Sequence, residues 1–211
     1  MLTLHCFGES GHSYKAALGL TLAGLDWTPA HIDFFNGAAR SPDYLATVNE
    51  MGEAPVLVLP DGSRMTQSGV ILDWIARDTG AFAGPSGDAD VLRWVLWDNH
   101  KMSSQAGVLR FMMNFLPEEK RSAEVIAFLS GRMMAALKVL DTHLADRDWI
   151  TGEAYSAADL SCCSYLFYEE PFGFDRADWP HVDAWLTRLS ALPGWAHPYD
   201  LMAPAFPPTS A

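Results

Sequence analysis

Cysteine is scarce in this chain of 211 residues, which has three, Cys6, Cys162 and Cys163. The number is odd and two of them are adjacent, a pattern that does not favour a disulfide framework. No Cys-x-x-Cys pair and no His/Cys spacing suited to zinc occurs, so we expect no metal site. A chain without disulfides is typical of a reducing compartment, and the expected location is the cytoplasm.

Long apolar runs and basic residues are also in short supply. No stretch reaches the roughly 18 uninterrupted apolar residues that a membrane helix needs, and the N-terminus lacks the pattern of a signal peptide. Lys and Arg number 14 against 26 for Asp and Glu, giving a net charge of −12. Such a surface repels phosphate backbones, so we expect no nucleic-acid partner. Without a membrane-length apolar run we expect no membrane association either. With 49% apolar and 19% charged residues, the chain is predicted to be globular.

The first 80 residues alternate between predicted strands and helices. The predicted elements are a strand over 2–6, a helix over 16–23 closed by Gly24, a strand over 27–34, a helical turn from Ser41, a strand over 54–59, a tight turn at 60–62, a strand over 64–66 and a helix over 70–76. A crossover connection comes first and a hairpin last. This order predicts a compact α/β domain with thioredoxin-like topology.

The second half shows helical periodicity and no strand alternation. Helices are predicted over 89–116 (as one or two), 122–144, 157–168 and 180–192. Residues 79–87 are rich in Gly and small residues and are predicted to be a linker. The expected fold is therefore a two-domain α+β protein, with a thioredoxin-like domain over 1–78 and an all-helical domain over 88–211. Ser156 and Asp159 have the spacing of a capping box.

The polar segment 7–15 lies between the first predicted strand and helix. It places the Ser10 hydroxyl and free backbone N–H groups at a helix N-terminus, where the macrodipole supplies about half a positive charge. Such an end favours an anion. Serine is also common as a plain helix cap, which is the alternative interpretation of Ser10.

Four motifs resemble the cytosolic glutathione transferases. Residues 49–57 (NEMGEAPVL) are similar to the family's Asn-Pro-x-Gly-x-Val-Pro-x-Leu segment, whose second proline is cis, and 67–68 (QS) to its Glu/Gln-Ser pair. Residues 10–15 (SGHSYK) resemble the active turn of the zeta class and of bacterial serine-type members, and 155–159 the capping motif. The chain departs from the pattern at Glu50, Ala54 and His12, the last standing where the zeta class has cysteine.

The resemblance implies that glutathione is the co-substrate and that Ser10 holds its sulfur as thiolate, with Ser13 and Tyr14 as rivals. His12 is either a second donor or a buried polar residue. Other implied glutathione contacts are Arg40 for the glycine carboxylate, Ala54 and cis-Pro55 for the cysteinyl amide, and Gln67 and Ser68 for the γ-glutamyl carboxylate. Arg40 is equally well a solvated surface residue, and Gln67 with Ser68 a simple helix cap.

The electrophile is expected between the first domain and the first long helix, near Trp97, His100 and Ser103. Aromatic and Met residues on a helix more often belong to a core, which is the alternative. The implied activity is conjugation of glutathione to a small hydrophobic electrophile, or isomerisation by transient addition, in a detoxifying homodimer packed through that helix. A glutathione-dependent disulfide or peroxide reductase, or a non-catalytic ligand-binding protein, remains open.

Overall fold

A computed structural model describes residues 1–82 and 88–207 of the chain. The chain divides into two compact units, one from Met1–Ala81 together with the residues from Pro193 onwards, and one over Phe82–Leu192. The first predicted domain ends at residue 78 and the second begins at residue 88. Most of the predicted linker between them, 83–87, lies outside the described residues. None of the described helices is long and apolar enough to cross a membrane.

A four-stranded sheet of order β2-β1-β3-β4 forms the centre of the first unit. Its strands are β1 (Leu2–Cys6), β2 (Trp27–His31), β3 (Val56–Val58) and β4 (Arg64–Thr66), and its helices are α1 (Gly11–Leu22), α2 (Pro42–Thr47) and α3 (Ser68–Thr79). β1 pairs parallel with β2 and antiparallel with β3, which pairs antiparallel with β4. The predicted thioredoxin-like order is confirmed.

Local chemistry determines where these elements begin and end. Along β1 the side chains alternate, with Leu2, Leu4 and Cys6 buried, as a strand with one covered face requires. The chain leaves α1 through Gly24 at φ 68°, a left-handed conformation that glycine adopts without a steric cost. Ser41 caps α2 by accepting from the backbone N–H of Tyr44 at 3.2 Å.

The residues after Pro193 pack with the first unit instead of extending the helical one. They form a short helix, α9 (Pro198–Leu201), whose N-cap is His197. Ala205 then joins a buried apolar cluster with Phe7, Ile32 and Tyr44. The sequence predicts this segment as part of the helical half, because its apolar contacts lie more than 150 positions earlier in the sequence.

The second unit is helical in all its described regular elements apart from one isolated bridge between Trp149 and Gly152. Its helices are α4 (Asp88–Trp97), α5 (Ser103–Arg110), α6 (Ala123–Leu144), α7 (Ala157–Cys162) and α8 (Pro180–Ser190). π-helical turns over Asp98–Met102 and Phe111–Phe115 continue α4 and α5, so the predicted helix over 89–116 is interrupted by wider turns. Leu116, before Pro117, is the extended residue that ends it.

The predicted capping box is present at the start of α7. Ser156 caps the helix, and the Asp159 carboxylate accepts from the Ser156 backbone N–H at 2.8 Å. The other carboxylate oxygen accepts from the backbone N–H of Ile150 and from the Trp185 indole, each at 2.9 Å. Burial raises the pKa of the Asp159 carboxyl, and these hydrogen bonds act in the opposite direction. One carboxylate thus fixes three parts of the unit.

Candidate active site

Ser10 is the N-cap residue of α1, in extended backbone (φ −85°, ψ 105°), and is 7% exposed. Its Oγ accepts a hydrogen bond from the backbone N–H of Ser13 at 3.0 Å. A hydroxyl that accepts in this way still carries its own proton. Capping and donation to a ligand are therefore compatible, although the two interpretations of Ser10 look exclusive in the sequence. Its catalytic role stays a prediction.

His12 connects the first turns of two helices. Its Nδ1 lies 3.3 Å from the Oγ of Ser68, the first residue of α3. Burial, with the positive charge of Lys15 as a lesser cause, lowers the pKa of His12 to about 3, so the imidazole is neutral at neutral pH. The two anion sites predicted separately at Ser10 and Ser68 therefore lie on adjoining helix N-termini, whose dipoles favour anions.

The two rivals of Ser10 are placed differently. Tyr14 is fully buried, and its hydroxyl donates to the backbone carbonyl of Ala196 at 2.8 Å. Ser13 is also fully buried, and among the described residues its Oγ has no hydrogen-bond partner. Neither arrangement favours donation to a ligand approaching from outside as well as the slightly exposed Ser10 does.

The peptide bond between Ala54 and Pro55 is cis, as the resemblance implies. The loop that leads to it is fixed by the backbone carbonyl of Glu53. This oxygen accepts from the Tyr44 hydroxyl at 2.9 Å and from the Asn49 side-chain amide at 3.0 Å. The backbone of Ala54, two residues before β3, is therefore held between a well-bonded loop and the sheet.

Gln67 stands before α3 in a conformation that is rare for a residue with a side chain, with φ 69° and ψ 116°. Its amide Nε2 donates to the Glu53 carboxylate at 3.0 Å. The hydrogen bond joins the start of α3 to the loop before cis-Pro55. Residues in such sparsely populated regions cost about 1–3 kcal/mol and cluster at functional sites.

Two replacements of Gln67 distinguish the backbone strain at this position from the contribution of its side chain to glutathione binding. We expect Gln67→Gly to raise the free energy of unfolding by about 1 kcal/mol, because glycine accepts a positive φ without strain. The same change should raise KM for glutathione, since the side chain at the predicted γ-glutamyl site is lost. Gln67→Ala is the matched control: it removes the side chain but keeps the strain. Chemical denaturation and steady-state kinetics test both, and a Gly variant less stable than the Ala variant would contradict the strain.

Arg40 lies exposed at the end of a 3₁₀ turn, Ala38–Arg40. Its side-chain stem passes the loop before cis-Pro55, since a Cβ built on Gly52 would lie 3.9 Å from Arg40 Cγ. Gly52 itself has φ 66° and would bring a Cβ to 3.2 Å from the Ala39 carbonyl, so this turn needs glycine. Arg40 is thus near the predicted glutathione loop, and its contact with the glycine carboxylate remains a prediction.

The three residues predicted for the electrophile lie in different surroundings. Trp97 and His100 line a shallow surface cavity of about 570 Å³ along α4, and Trp97 also lines a cavity of about 650 Å³ between α4 and α6. Ser103 is buried, and its hydroxyl donates to the Asp98 carboxylate at 2.8 Å. Asp98 also accepts from Ser161 at 2.6 Å. Ser103 therefore belongs to a buried polar network of the second unit.

Two acidic residues of the first unit escaped prediction from the sequence. Glu53 occupies a variable position of the 49–57 motif, so its bond to Gln67 had no local signal. Glu9 is 6% exposed and accepts from the backbone N–H groups of Ala205 and Phe206. Its only signal in the sequence is that it directly precedes Ser10.

Cys6 is buried on β1, and burial raises the pKa of its thiol to about 12. Cys162 and Cys163 are also buried and form no disulfide. Because the thiolate is the reactive form, we expect iodoacetamide at mildly alkaline pH to leave all three unmodified in the native protein and to label them after unfolding in urea. Labelling of native Cys6 at the rate of a free cysteine would contradict this placement. Intact-mass spectrometry gives the count.

Among the described residues there is no cluster of three or more His, Cys, Asp or Glu side chains placed to hold a metal ion. The polar side chains of the candidate site adjoin helix N-termini, which bind anions through backbone N–H groups. These side chains belong to Ser10, His12, Gln67 and Ser68. The site so defined, on a thioredoxin-like unit followed in sequence by a helical one, is suited to an anionic ligand.

Comparison with known proteins identifies the family to which a chain with this fold and site belongs. Residues 10–78 match the glutathione S-transferase N-terminal domain family and residues 101–193 the glutathione S-transferase C-terminal domain family. A glutathione S-transferase from Xanthobacter autotrophicus has 32% identity and a TM-score of 0.86, with 95% of this chain and 98% of that one covered. A glutathione S-transferase from Pseudomonas fluorescens has 30% identity and a TM-score of 0.85, with 93% of this chain and 98% of that one covered. Maleylacetoacetate isomerase of Pseudomonas aeruginosa is 27% identical over 208 residues, covering 93% and 96%.

The chain belongs to the glutathione S-transferase family, and it is an enzyme of the glutathione transferase type. The predicted fold, a thioredoxin-like domain followed by a helical domain, is confirmed by the same matches. The expected family membership rested on four short motifs, and it holds over most of the chain.

Proposed function

We propose that this protein activates the thiol of glutathione with the hydroxyl of Ser10 and transfers the thiolate to a small hydrophobic electrophile, as serine-type members do. The observation that carries the proposal is the position of Ser10. This residue caps α1, but its hydroxyl still has a proton to donate, and 7% of the residue's surface is exposed. Free thiols have a pKa near 8.5. A hydroxyl donor together with a helix N-terminus favours the thiolate over the thiol.

The rest of glutathione would extend from this point along the first unit. The γ-glutamyl carboxylate would bind at the N-terminus of α3, near Ser68, where His12 adjoins. The cysteinyl amide would pair with the backbone of Ala54 before cis-Pro55, in the manner of an added strand. Arg40 would meet the glycine carboxylate. At the γ-glutamyl end the dipole of α3 would supply the attraction for the carboxylate, because a neutral His12 adds no fixed charge.

The chemistry has two forms. In conjugation the thiolate displaces a leaving group or adds to an activated double bond, and the carbon–sulfur bond persists. In isomerisation the thiolate adds to a cis double bond, the new single bond rotates, and loss of the thiolate restores a trans double bond. The relative from Pseudomonas aeruginosa is named an isomerase, which favours including a maleyl-type substrate in any screen. Trp97 and His100 would contact the electrophile.

We further propose that the active form is a cytoplasmic homodimer with a detoxifying role. The support for the dimer comes from α4, where Leu92 and Leu96 are 51% and 60% exposed. Large apolar side chains spaced four residues apart on one helix form a stripe that a second copy would cover. Light scattering of the purified protein tests the dimer, with Leu96→Glu as the variant expected to dissociate it.

The test of function is an assay series with glutathione and three classes of partner: an activated aryl halide, an enone or maleyl compound, and a mixed disulfide. A mass increase equal to glutathione supports conjugation, and a cis-to-trans change without a mass change supports isomerisation. Turnover of the disulfide alone would replace the proposal with the reductase alternative. Binding of glutathione, followed through the eight tryptophans, without any turnover would indicate a binding protein.

A further inference from the structure

The described end of the chain lies along the turn that carries Ser10. The backbone N–H of Gly8 donates to the carbonyl of Ala203 at 2.8 Å. Further along α1, the Tyr14 hydroxyl donates to the Ala196 carbonyl at 2.8 Å. These contacts join positions that are more than 180 residues apart in sequence but belong to the same compact unit. The C-terminal segment, residues 196–206, is therefore part of the surroundings of the catalytic turn.

A further connection between the turn and the C-terminal segment runs through Glu9. Its carboxylate accepts from the Ala205 backbone N–H at 2.9 Å and from the Phe206 backbone N–H at 2.8 Å. The Phe206 ring in turn packs edge-on against Phe35 at 5.1 Å between centroids. Two successive N–H groups make a nest for an anion. Here the anion is a side chain of the protein itself, next to the residue proposed to hold the thiolate.

Gly8 shows how closely the segment approaches. A Cβ built on Gly8 would lie 2.8 Å from the Tyr199 ring and 3.0 Å from the backbone carbonyl of Met202. No real side chain fits at such distances without displacing the segment. The absence of a side chain at this position is therefore explained by the C-terminal segment and not by the turn, whose Gly8 is not in a positive-φ conformation.

We propose that Glu9 is a positioning residue for thiol activation, and that the backbone N–H groups of Ala205 and Phe206 make the C-terminal segment a working part of the site. The inference rests on the proposed role of Ser10. The two N–H groups do two things: they fix the turn that orients the Ser10 hydroxyl, and they offset the negative charge of Glu9. A carboxylate left without these donors beside Ser10 would repel the thiolate and raise the thiol pKa of bound glutathione.

The test compares Ala205→Pro, which deletes one donor to Glu9 because proline has no N–H, with Glu9→Gln and with the double variant. Gly8→Ala is an independent variant that displaces the segment while leaving Glu9 and Ser10 in place. The exposed Glu119 provides the matched control, Glu119→Gln. The readout is the thiol pKa of bound glutathione, from thiolate absorbance against pH, alongside thermal unfolding of each variant.

We expect Ala205→Pro and Gly8→Ala each to raise that thiol pKa by about half a unit to one unit, the size of one ordinary intramolecular hydrogen bond. The Glu119→Gln control should leave it unchanged. Glu9→Gln removes the uncompensated charge but does not restore the lost positioning bond, so the thiol pKa of the double variant should lie between the values for Ala205→Pro and the wild type. If the segment only stabilises the fold, the variants will have lower unfolding temperatures but an unchanged thiol pKa of bound glutathione. This result would overturn the proposal.

Ser10→Ala, measured in the same way, separates this inference from the proposed function. If Ser10→Ala raises the thiol pKa but the Glu9 and C-terminal variants do not, the positioning role is wrong and the role of Ser10 stands. If Ser10→Ala leaves the thiol pKa unchanged, the proposed activation by Ser10 is wrong, and the positioning role is overturned with it.

Discussion

Replacing Ser10 with alanine is expected to lower kcat/KM for conjugation by about 10- to 100-fold near pH 7, while glutathione still binds. The hydroxyl stabilises the thiolate but makes little difference to the protonated thiol. Its loss should therefore raise the thiol pKa by about one to two units, and each unit costs tenfold in thiolate below that pKa. The pH profile of kcat/KM should shift to higher pH, with activity partly recovered in alkaline solution.

Two further variants separate the capping role of Ser10 from donation. Ser10→Thr keeps both a cap acceptor and a hydroxyl donor, so most of the activity should remain. Ser10→Asp keeps the cap for the Ser13 N–H but supplies a negative charge in place of a donor. It should fold with nearly wild-type stability and be at least as inactive as Ser10→Ala. Wild-type activity in Ser10→Asp would show that capping, and not donation, is what the reaction needs.

The largest expected loss of stability follows from Asp159→Ala. The carboxylate is fully buried and accepts hydrogen bonds from the Ile150 backbone, the Ser156 backbone and hydroxyl, and the Trp185 indole. Removing it leaves several buried donors without an acceptor, each costing about 1–3 kcal/mol. We expect the free energy of unfolding to fall by about 3–5 kcal/mol, measured by urea denaturation.

Asp148 provides the matched control for this prediction. Its carboxylate lies 3.5 Å from Arg188 in an ion pair whose Asp side chain is 75% exposed. Exposed pairs of this kind contribute about 0–1 kcal/mol, so Asp148→Ala should leave the unfolding curve nearly unchanged. Equal losses in the two variants would mean that the hydrogen bonds of Asp159 do not hold the helical unit together.

Features with a local cause could be predicted from the sequence. The alternation of Leu2, Leu4 and Cys6 predicts β1, and Gly24 marks the end of α1. The spacing of Ser156 and Asp159 predicts a capping box that the structure contains. In each case the interacting groups are within a few residues of one another, so the pattern and the bond have the same cause.

Features that depend on distant contacts could not be predicted in this way. The hydrogen bond between His12 and Ser68 spans 56 positions, and that between Glu9 and Phe206 spans 197. Neither is encoded in a local spacing. The predicted helical domain runs to residue 211, whereas Ala205 is buried in the first unit; residues 208–211 lie outside the described part of the chain. Burial of Ser103 against Asp98 likewise follows from a π-helical turn that periodicity does not predict.

The most direct test of the central claim is the thiol pKa of glutathione bound to the wild-type protein, measured from thiolate absorbance during a pH titration of the complex. The account predicts a value at least one unit below the ordinary thiol pKa of about 8.5, with the decrease lost in Ser10→Ala. A bound thiol that titrates at the same pH as the free tripeptide would contradict activation by Ser10, whatever product the enzyme forms.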